Sequence, residues 1–228
     1  DFKDAGFIRM VVNFIKTRGL YPGNDIENWI KKLLITKFPG KINEILLSDL
    51  PYHTIIYSAR IKDGVLIFDS KGQRKETHAA FATRCSMSIP YFFSPKSIDG
   101  IRVYDGGLRS NFPLKLFMES YPQKPVLGLY LIPGTKKGGK IIGELKDIAI
   151  DGEEIAIVEK NLDKVIIIDP RPIKTTDFNL NDKKKDLLIK AGRLGALNFI
   201  KLNFPDVAID KIEMDYLLDS ITSLRKQI

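Results

Sequence analysis

Apolar segments with the pattern of buried strands alternate with stretches of helical periodicity along this chain. Three segments are mostly apolar on both faces, as in strands covered by helices on both sides: 101–104, 126–132 and 165–168. Helical patterns lie between and after them, at about 77–87, 114–120, 150–162 and 182–202. Strands that alternate with helices are typical of layered α/β domains. The sequence therefore predicts an α/β fold with a layered, mostly parallel sheet flanked by helices on both faces.

The N-terminal part of the chain predicts two helices followed by a hairpin. Apolar residues recur at helical spacing up to Ile15, and Gly19 is expected to end the first helix. The second helix carries Trp29 on its apolar face, which favours a core position, and Asn24 is its expected N-cap. Two β-rich segments, 54–61 and 65–68, are joined by Lys-Asp-Gly and indicate a β-hairpin. No repeat or compositional break divides the chain, so we predict one domain over residues 1–228.

Composition excludes several classes of protein. The 228 residues are 44% hydrophobic and 28% charged, which is typical of a folded chain and not of a disordered one. The single cysteine, Cys85, cannot form an internal disulfide, and the chain has too few cysteines and histidines for a zinc module. The longest apolar runs are much shorter than the roughly 20 residues of a membrane-spanning helix. We therefore expect a soluble protein that can still touch a membrane surface.

The most informative stretch of the sequence surrounds Asp105. This residue stands where an apolar strand gives way to Gly106 and Gly107, so its carboxylate is expected to emerge at a strand end beside a backbone that can turn sharply. Ligands and catalytic groups collect at strand ends in α/β sheets. Taken alone, Asp-Gly-Gly marks a simple turn more often than it marks a site.

The motifs around Asp105 resemble, in their order, those of the patatin-like acyl hydrolases. That family carries Arg-x-Ser-x-Ser-Ile-Pro at a helix end, an aromatic segment, Asp-Gly-Gly or Asp-Gly-Ala, and then Asn-x-Pro. This sequence has the same series at 84–90, 92–95, 105–107 and 111–113. The resemblance extends to Gly-Leu-Tyr at 19–21 and to Asp-Phe-Asn at 177–179 before the long helix. It implies a patatin-like fold.

The resemblance also implies a serine hydrolase that cleaves the ester bonds of lipids. Members of the family use a Ser-Asp dyad, in which the serine of a Gly-x-Ser-x-Gly elbow attacks the ester and the aspartate accepts its proton. By this resemblance Asp105 is the base, and Gly106 and Gly107 line the site. The family resemblance implies neither a metal nor an organic cofactor, and the implied substrate is a phospholipid or another acyl lipid.

The sequence departs from the family at the nucleophile. Neither Gly-x-Ser-x-Gly nor a glycine-rich oxyanion loop occurs before Asp105. The chain also begins at Asp1, without Met, directly in a helical pattern. We therefore expect this domain to lack its N-terminal nucleophile segment, with the serine supplied upstream. The alternative is a catalytically inactive patatin-fold module that binds anionic membrane surfaces.

Two other serines and two histidines were candidates for catalysis. Ser86 and Ser88 lack the flanking glycines of a nucleophile elbow, so we expect them to bond helix-end carbonyls or to line the site. His53 and His78 fit surface or capping roles better than a Ser-His-Asp triad, and the family works without a histidine.

The charge balance suggests an anionic partner. The chain has 36 Lys and Arg against 28 Asp and Glu, so its formal charge is 36 − 28 = +8. Lysines cluster at 136–140 and 183–185, a pattern more typical of a solvated face, and each one near an anionic bilayer is worth about 1 kcal/mol. Arg109 fits a lipid phosphate contact and a solvated loop equally well. We expect an anionic membrane surface as partner, with nucleic acid unlikely because the lysines are dispersed without interleaved aromatics. The expected location is cytoplasmic or peripheral to a membrane, with a secreted effector as the alternative.

Overall fold

A computed structural model of the chain describes residues 6–41, 44–60, 64–108, 112–132, 152–174 and 177–228. The chain divides into two compact units, 1–111 and 112–228, and each is described by itself. The single domain expected from the sequence stays a prediction.

The first unit contains three helices and six strands within its described residues. In chain order they are α1 (Phe7–Thr17), β1 (Gly19–Tyr21), α2 (Asn24–Lys37), a 3-10 turn (Leu47–Asp49), β2 (Ile55–Arg60), β3 (Gly64–Asp69), α3 (Ala79–Ser86), β4 (Tyr91–Phe93), β5 (Lys96–Ile98), β6 (Ile101–Asp105) and a second 3-10 turn (Gly106–Leu108).

These strands form two sheets of different character. β1 pairs in parallel with β4, while β3, β2, β6 and β5 form, in that order, a four-stranded antiparallel sheet. The hairpin predicted from the sequence is the β2–β3 pair, and it is confirmed. The expectation that 101–104 belongs to a parallel sheet is wrong for this strand, because β6 lies antiparallel to both of its neighbours. An apolar strand pattern reports burial on two faces and carries no information on the direction of the partner strand.

The core of the first unit lies between the antiparallel sheet and α3. Buried side chains from the 3-10 turn, the sheet and the helix meet there: Leu47, Leu66, Phe68, Ala79, Ala82, Cys85 and Val103. Burying a side chain such as Phe68 contributes about 1.5–3 kcal/mol. The small residues of α3 allow the helix to lie close to the sheet, so its C-terminal end is held beside the end of β6.

The second unit contains α4 (Leu114–Ser120), β7 (Gly128–Leu131), α5 (Gly152–Lys160), β8 (Val165–Ile168), α6 (Asp182–Asn203) and α7 (Lys211–Gln227). β7 and β8 pair in parallel, as the sequence predicts for a βαβ arrangement. Gly195 of α6 approaches β8 closely, since a Cβ there would lie 2.5 Å from the carbonyl oxygen of Ile167. The α/β class with parallel strands and flanking helices is thereby confirmed.

Three local expectations about helices and strands are wrong. Trp29 is 60% exposed, and none of the residues of α2 is buried. The N-cap of α2 is Gly23 in a left-handed conformation, so Asn24 is the first helical residue and not the cap. β7 was expected to be buried on both faces, yet Leu129 and Leu131 are exposed and only the alternate residues are buried. The Gly/Lys loop predicted at 133–140 lies outside the described residues.

Candidate active site

Asp105 is the last residue of β6, at the strand end expected from the sequence. Its backbone N–H donates to the carbonyl oxygen of Ser88 at 3.0 Å, which ties the strand end to the segment that follows α3. On its other edge, β6 pairs with β2, where Ser58 lies directly opposite Asp105. Asp105 is therefore held from both sides by backbone contacts, while its side chain stands where the strand turns.

The two glycines after Asp105 have different structural roles. Gly106 is buried against β2, and a Cβ on it would lie 2.5 Å from the carbonyl oxygen of Tyr57. Only a glycine fits this approach without moving the strand. The N–H of Gly107 donates to Oδ1 of Asp105 at 2.7 Å, so the turn folds back on the carboxylate. The Asp-Gly-Gly motif is thus both a tight turn and a support for the carboxylate.

Burial raises the pKa of the Asp105 carboxyl above its ordinary value, and the hydrogen bond from Gly107 opposes this effect only in part. Burial acts in this direction because the charged form loses more hydration than the neutral form. A carboxylate with raised proton affinity is a better acceptor for the proton of a hydroxyl nucleophile. The chemistry available at this position is that of a general base.

Arg84 holds several backbone segments of the first unit together. Its side chain is 1% exposed, and its guanidinium donates to the carbonyl oxygens of Gly23 at 3.1 Å, Pro22 at 2.9 Å and Ser94 at 2.8 Å. The guanidinium also lies over the ring of Phe93, 4.9 Å from its centroid. Gly23 is suited to this contact, because a Cβ there would lie 2.6 Å from the Arg84 Nε. Arg84 therefore joins the start of α2, the end of α3 and the end of β4.

Ser88 links Arg84 to Asp105. Its hydroxyl accepts from Nη1 of Arg84 at 2.7 Å and donates to the Arg84 carbonyl oxygen at 3.0 Å. This agrees with the expectation that it bonds a helix-end carbonyl. Its own carbonyl oxygen receives the N–H of Asp105. Ser86 is the last residue of α3 and is half-buried.

Each of the two histidines lies beside an acidic residue, and the cysteine is buried. His53 Nε2 lies 2.7 Å from Oδ1 of Asp69, and His78, which precedes α3, pairs with Glu44. Cys85 is buried in the core, and burial raises the pKa of its thiol to about 12, so that it is not a nucleophile at neutral pH.

Two features of the site do not follow from the sequence patterns. The motif series includes Arg84 but gives no physical reason for its contacts, and Ser58 of β2 belongs to none of the motifs. A serine among the apolar residues of β2 is the signal that could have pointed to Ser58. Arg109 and Asn111, which the sequence placed near the site, lie outside the described residues.

Neither a metal cluster nor a membrane span is found in the part of the chain that the structure describes. Over those residues, no three His, Cys, Asp or Glu side chains come together in a way that could hold a metal ion. Likewise, none of the described helices has the length and apolar character needed to cross a bilayer.

Comparison with known proteins identifies relatives of this chain. The family model described as patatin-like phospholipase matches residues 2–118, a range that includes Arg84, Ser88 and Asp105. An uncharacterized protein of Bacillus subtilis (strain 168), YqhO, is 31% identical over 203 residues, which cover 80% of this chain and 68% of the relative. The motif series, the strand-end aspartate and these matches agree, and the chain belongs to the patatin-like phospholipase family.

Proposed function

We propose that this protein is a lipid acyl hydrolase of the phospholipase A type and that Asp105 is the base of a Ser-Asp dyad. The observation that carries this proposal is the Asp105 carboxylate, which ends a strand, is supported by the Gly107 N–H and has a pKa raised by burial. Membership of a lipid hydrolase family supports it. The substrate is a phospholipid or another acyl lipid, and Gly106 and Gly107 line the site.

The proposed reaction has two steps of acyl transfer. A serine hydroxyl attacks the ester carbonyl carbon while its proton passes to Asp105, and the alcohol leaves with that proton as the acyl-serine forms. Water then attacks the acyl-serine while Asp105 accepts its proton, and Asp105 passes that proton to the serine oxygen as the fatty acid is released and the enzyme is restored. The serine is that of the family's Gly-x-Ser-x-Gly elbow, a motif absent from these 228 residues.

The test of Asp105 uses the full-length protein, with fatty-acid release from phospholipid vesicles as the measurement. Asp105→Asn keeps the shape of the side chain but cannot accept the proton, so we expect activity to fall by about 10²–10⁴-fold. Asp99→Asn is the matched control, because Asp99 is an exposed carboxylate in the turn between β5 and β6. Undiminished release by Asp105→Asn would refute the assignment.

An anionic membrane surface is the partner proposed for α2. Trp29 and Leu33 lie one turn apart on the helix and are 60% and 46% exposed. Lys32 and Lys37 are exposed on the same helix. An apolar cavity of about 190 Å³ adjoins Trp29. Tryptophan beside lysine is suited to a bilayer interface, where the ring lies among head groups and the ammonium meets lipid phosphate. On this proposal the protein is peripheral to a membrane.

Vesicle co-sedimentation tests this surface. Replacing Trp29 and Leu33 with alanine removes the apolar contacts, so we expect binding to phosphatidylglycerol vesicles to weaken about tenfold or more. Ile189→Ala is the control, since Ile189 is an exposed apolar residue of α6. Equal binding by all variants would contradict the docking role of α2.

The same two assays decide between the enzyme and its rival, the inactive membrane-binding module. A full-length protein that binds anionic vesicles but releases no fatty acid supports the module. Release that depends on Asp105 supports the enzyme.

A further inference from the structure

Ser58 is a buried serine beside the proposed base. It lies in β2 directly opposite Asp105, and its other cross-strand neighbour is Leu66 of β3. Paired residues of an antiparallel sheet project from the same face, so both side chains lie on the face that carries the core residues Leu66, Phe68 and Val103. Ser58 is fully buried.

The Ser58 hydroxyl has no hydrogen-bond partner within the described part of the chain. A buried hydroxyl without a partner costs free energy, so such groups are rare in folded proteins. Its neighbours on this face include apolar core residues, while the residue directly opposite is an aspartate. Oδ1 of that aspartate receives the Gly107 N–H, and none of the other described residues donates to Oδ2.

The two side chains are within reach of one another. Cross-strand pairs place their Cβ atoms about 4.5–5.5 Å apart. A serine Oγ and a carboxylate oxygen that project from such a pair can meet at hydrogen-bond distance after rotation about χ1. Ser58 cannot be the nucleophile, because it is fully buried and a substrate ester would have no access to it.

We propose that Ser58 is a positioning residue for the Asp105 carboxylate, to which its hydroxyl donates a hydrogen bond at Oδ2. The bond satisfies the buried hydroxyl and fixes the plane of the carboxylate, with Gly107 holding one oxygen and Ser58 the other. The hydrogen bond is argued from geometry alone, while its importance for catalysis rests on the proposed function of Asp105.

Asp105 has charged groups on the elements packed around it, and they matter for a pH titration. Arg60 lies on β2, Arg84 on α3 and Lys96 on β5. His78, at the start of α3, is paired with Glu44.

The test measures the pKa of Asp105 directly in the full-length protein. Aspartate is labelled with ¹³C at the side-chain carboxyl, and the Asp105 resonance is identified by its loss in Asp105→Asn. A hydrogen bond to the ionised carboxylate stabilises the charged form. We therefore expect Ser58→Ala to raise the pKa of Asp105 by about one pH unit and Ser58→Thr, which keeps the hydroxyl, to leave it within a few tenths.

Two controls guard against a general effect of core mutation. Ser70→Ala removes another buried serine of the same unit, whose hydroxyl accepts the N–H of Thr54, and it should not move the pKa of Asp105. Ser58→Cys keeps the volume of the side chain with a weak donor and serves if Ser58→Ala does not fold. An unchanged pKa in Ser58→Ala, or in Ser58→Cys where Ser58→Ala does not fold, would overturn the proposal.

A second measurement separates this proposal from the proposed function. In the full-length protein, the acidic limb of the pH profile of kcat/KM should move upward in Ser58→Ala as the carboxyl pKa does. A shifted carboxyl pKa together with activity that survives Asp105→Asn would retain the hydrogen bond and reject Asp105 as the base.

Discussion

Arg84 and Asp105 are two charged residues of the same motif series, the first buried and the second half-buried, and their surroundings differ. The Arg84 guanidinium donates to three backbone carbonyls and one hydroxyl and lies over an aromatic ring. Among the described residues, the structure shows one hydrogen bond to the Asp105 carboxylate, from the N–H of Gly107, and the proposed bond from Ser58 is a second. Arg84 is thus enclosed by partners, whereas Asp105 keeps acceptor capacity unused.

This difference distinguishes a charged residue that stabilises the fold from one that is available for a reaction. A fully bonded buried charge rigidifies its surroundings, and removing it leaves the partners unsatisfied. A buried charge with few partners keeps a perturbed pKa and remains available to a substrate. Burial lowers the pKa of Arg84, against the opposing effect of the Glu27 carboxylate, and raises the pKa of Asp105, so in each case burial disfavours the charged form.

Removing Arg84 should have the largest effect. Arg84→Ala removes the side-chain donor of the Pro22 and Ser94 carbonyls and leaves that of Gly23 with only the N–H of Glu27, so we expect the free energy of unfolding to fall by about 3–4 kcal/mol. Urea denaturation of the 228-residue chain measures this loss. Arg102→Ala, at an exposed position on β6, should change stability by less than about 0.5 kcal/mol. Equal effects of the two substitutions would remove the distinction between the buried and the exposed arginine.

The turn after Asp105 should be the next most sensitive position. A methyl group at Gly106 meets the backbone of Tyr57, so Gly106→Ala should cost about 1–3 kcal/mol of stability and displace the Asp105 carboxylate. Gly192→Ala is the matched control, because that helical position has open space for a Cβ, and there we expect a gain of about 0.5–1 kcal/mol. Thermal and urea denaturation compare the two, and a neutral Gly106→Ala would show that β2 does not restrict the turn.

Neutralising the carboxylates should give small effects of opposite sign. Burial raises the pKa of Asp105, so its ionisation in the folded protein weakens stability as the pH rises through that raised pKa. Asp105→Asn should therefore stabilise the protein at pH 7 by about 0.5–2 kcal/mol, and the gain should vanish below the ordinary carboxyl pKa.

Asp69 provides the opposite case in the same unit. Burial acts against its ionisation, but the N–H of Lys71 and the His53 ring outweigh it and hold the pKa of Asp69 below its ordinary value. Its contribution is present above the ordinary carboxyl pKa and is lost as the pH falls through the lowered one. Asp69→Asn should therefore destabilise the protein at pH 7. Unfolding curves recorded across the acidic range give the sign of the stability change for both Asp105→Asn and Asp69→Asn. Stabilisation by Asp69→Asn would contradict this reasoning.

The candidate site was predicted in part from the sequence. Asp105 was placed correctly at a strand end, because the switch from apolar residues to glycines is a local pattern. Its role as a base stays a prediction that the experiments above test. Trp29 was misplaced in the core, because helical periodicity shows which residues share a face and not whether another element covers that face.

The sequence by itself determined the types of element, the turn after β6 and the motif series of the family, since each depends on residues close together in the chain. The tertiary structure alone decided that β6 runs antiparallel to β2, that Arg84 reaches Pro22, Gly23 and Ser94, and that Ser58 faces Asp105. These contacts join residues far apart in sequence. They depend on strand register and close packing, which no local pattern encodes.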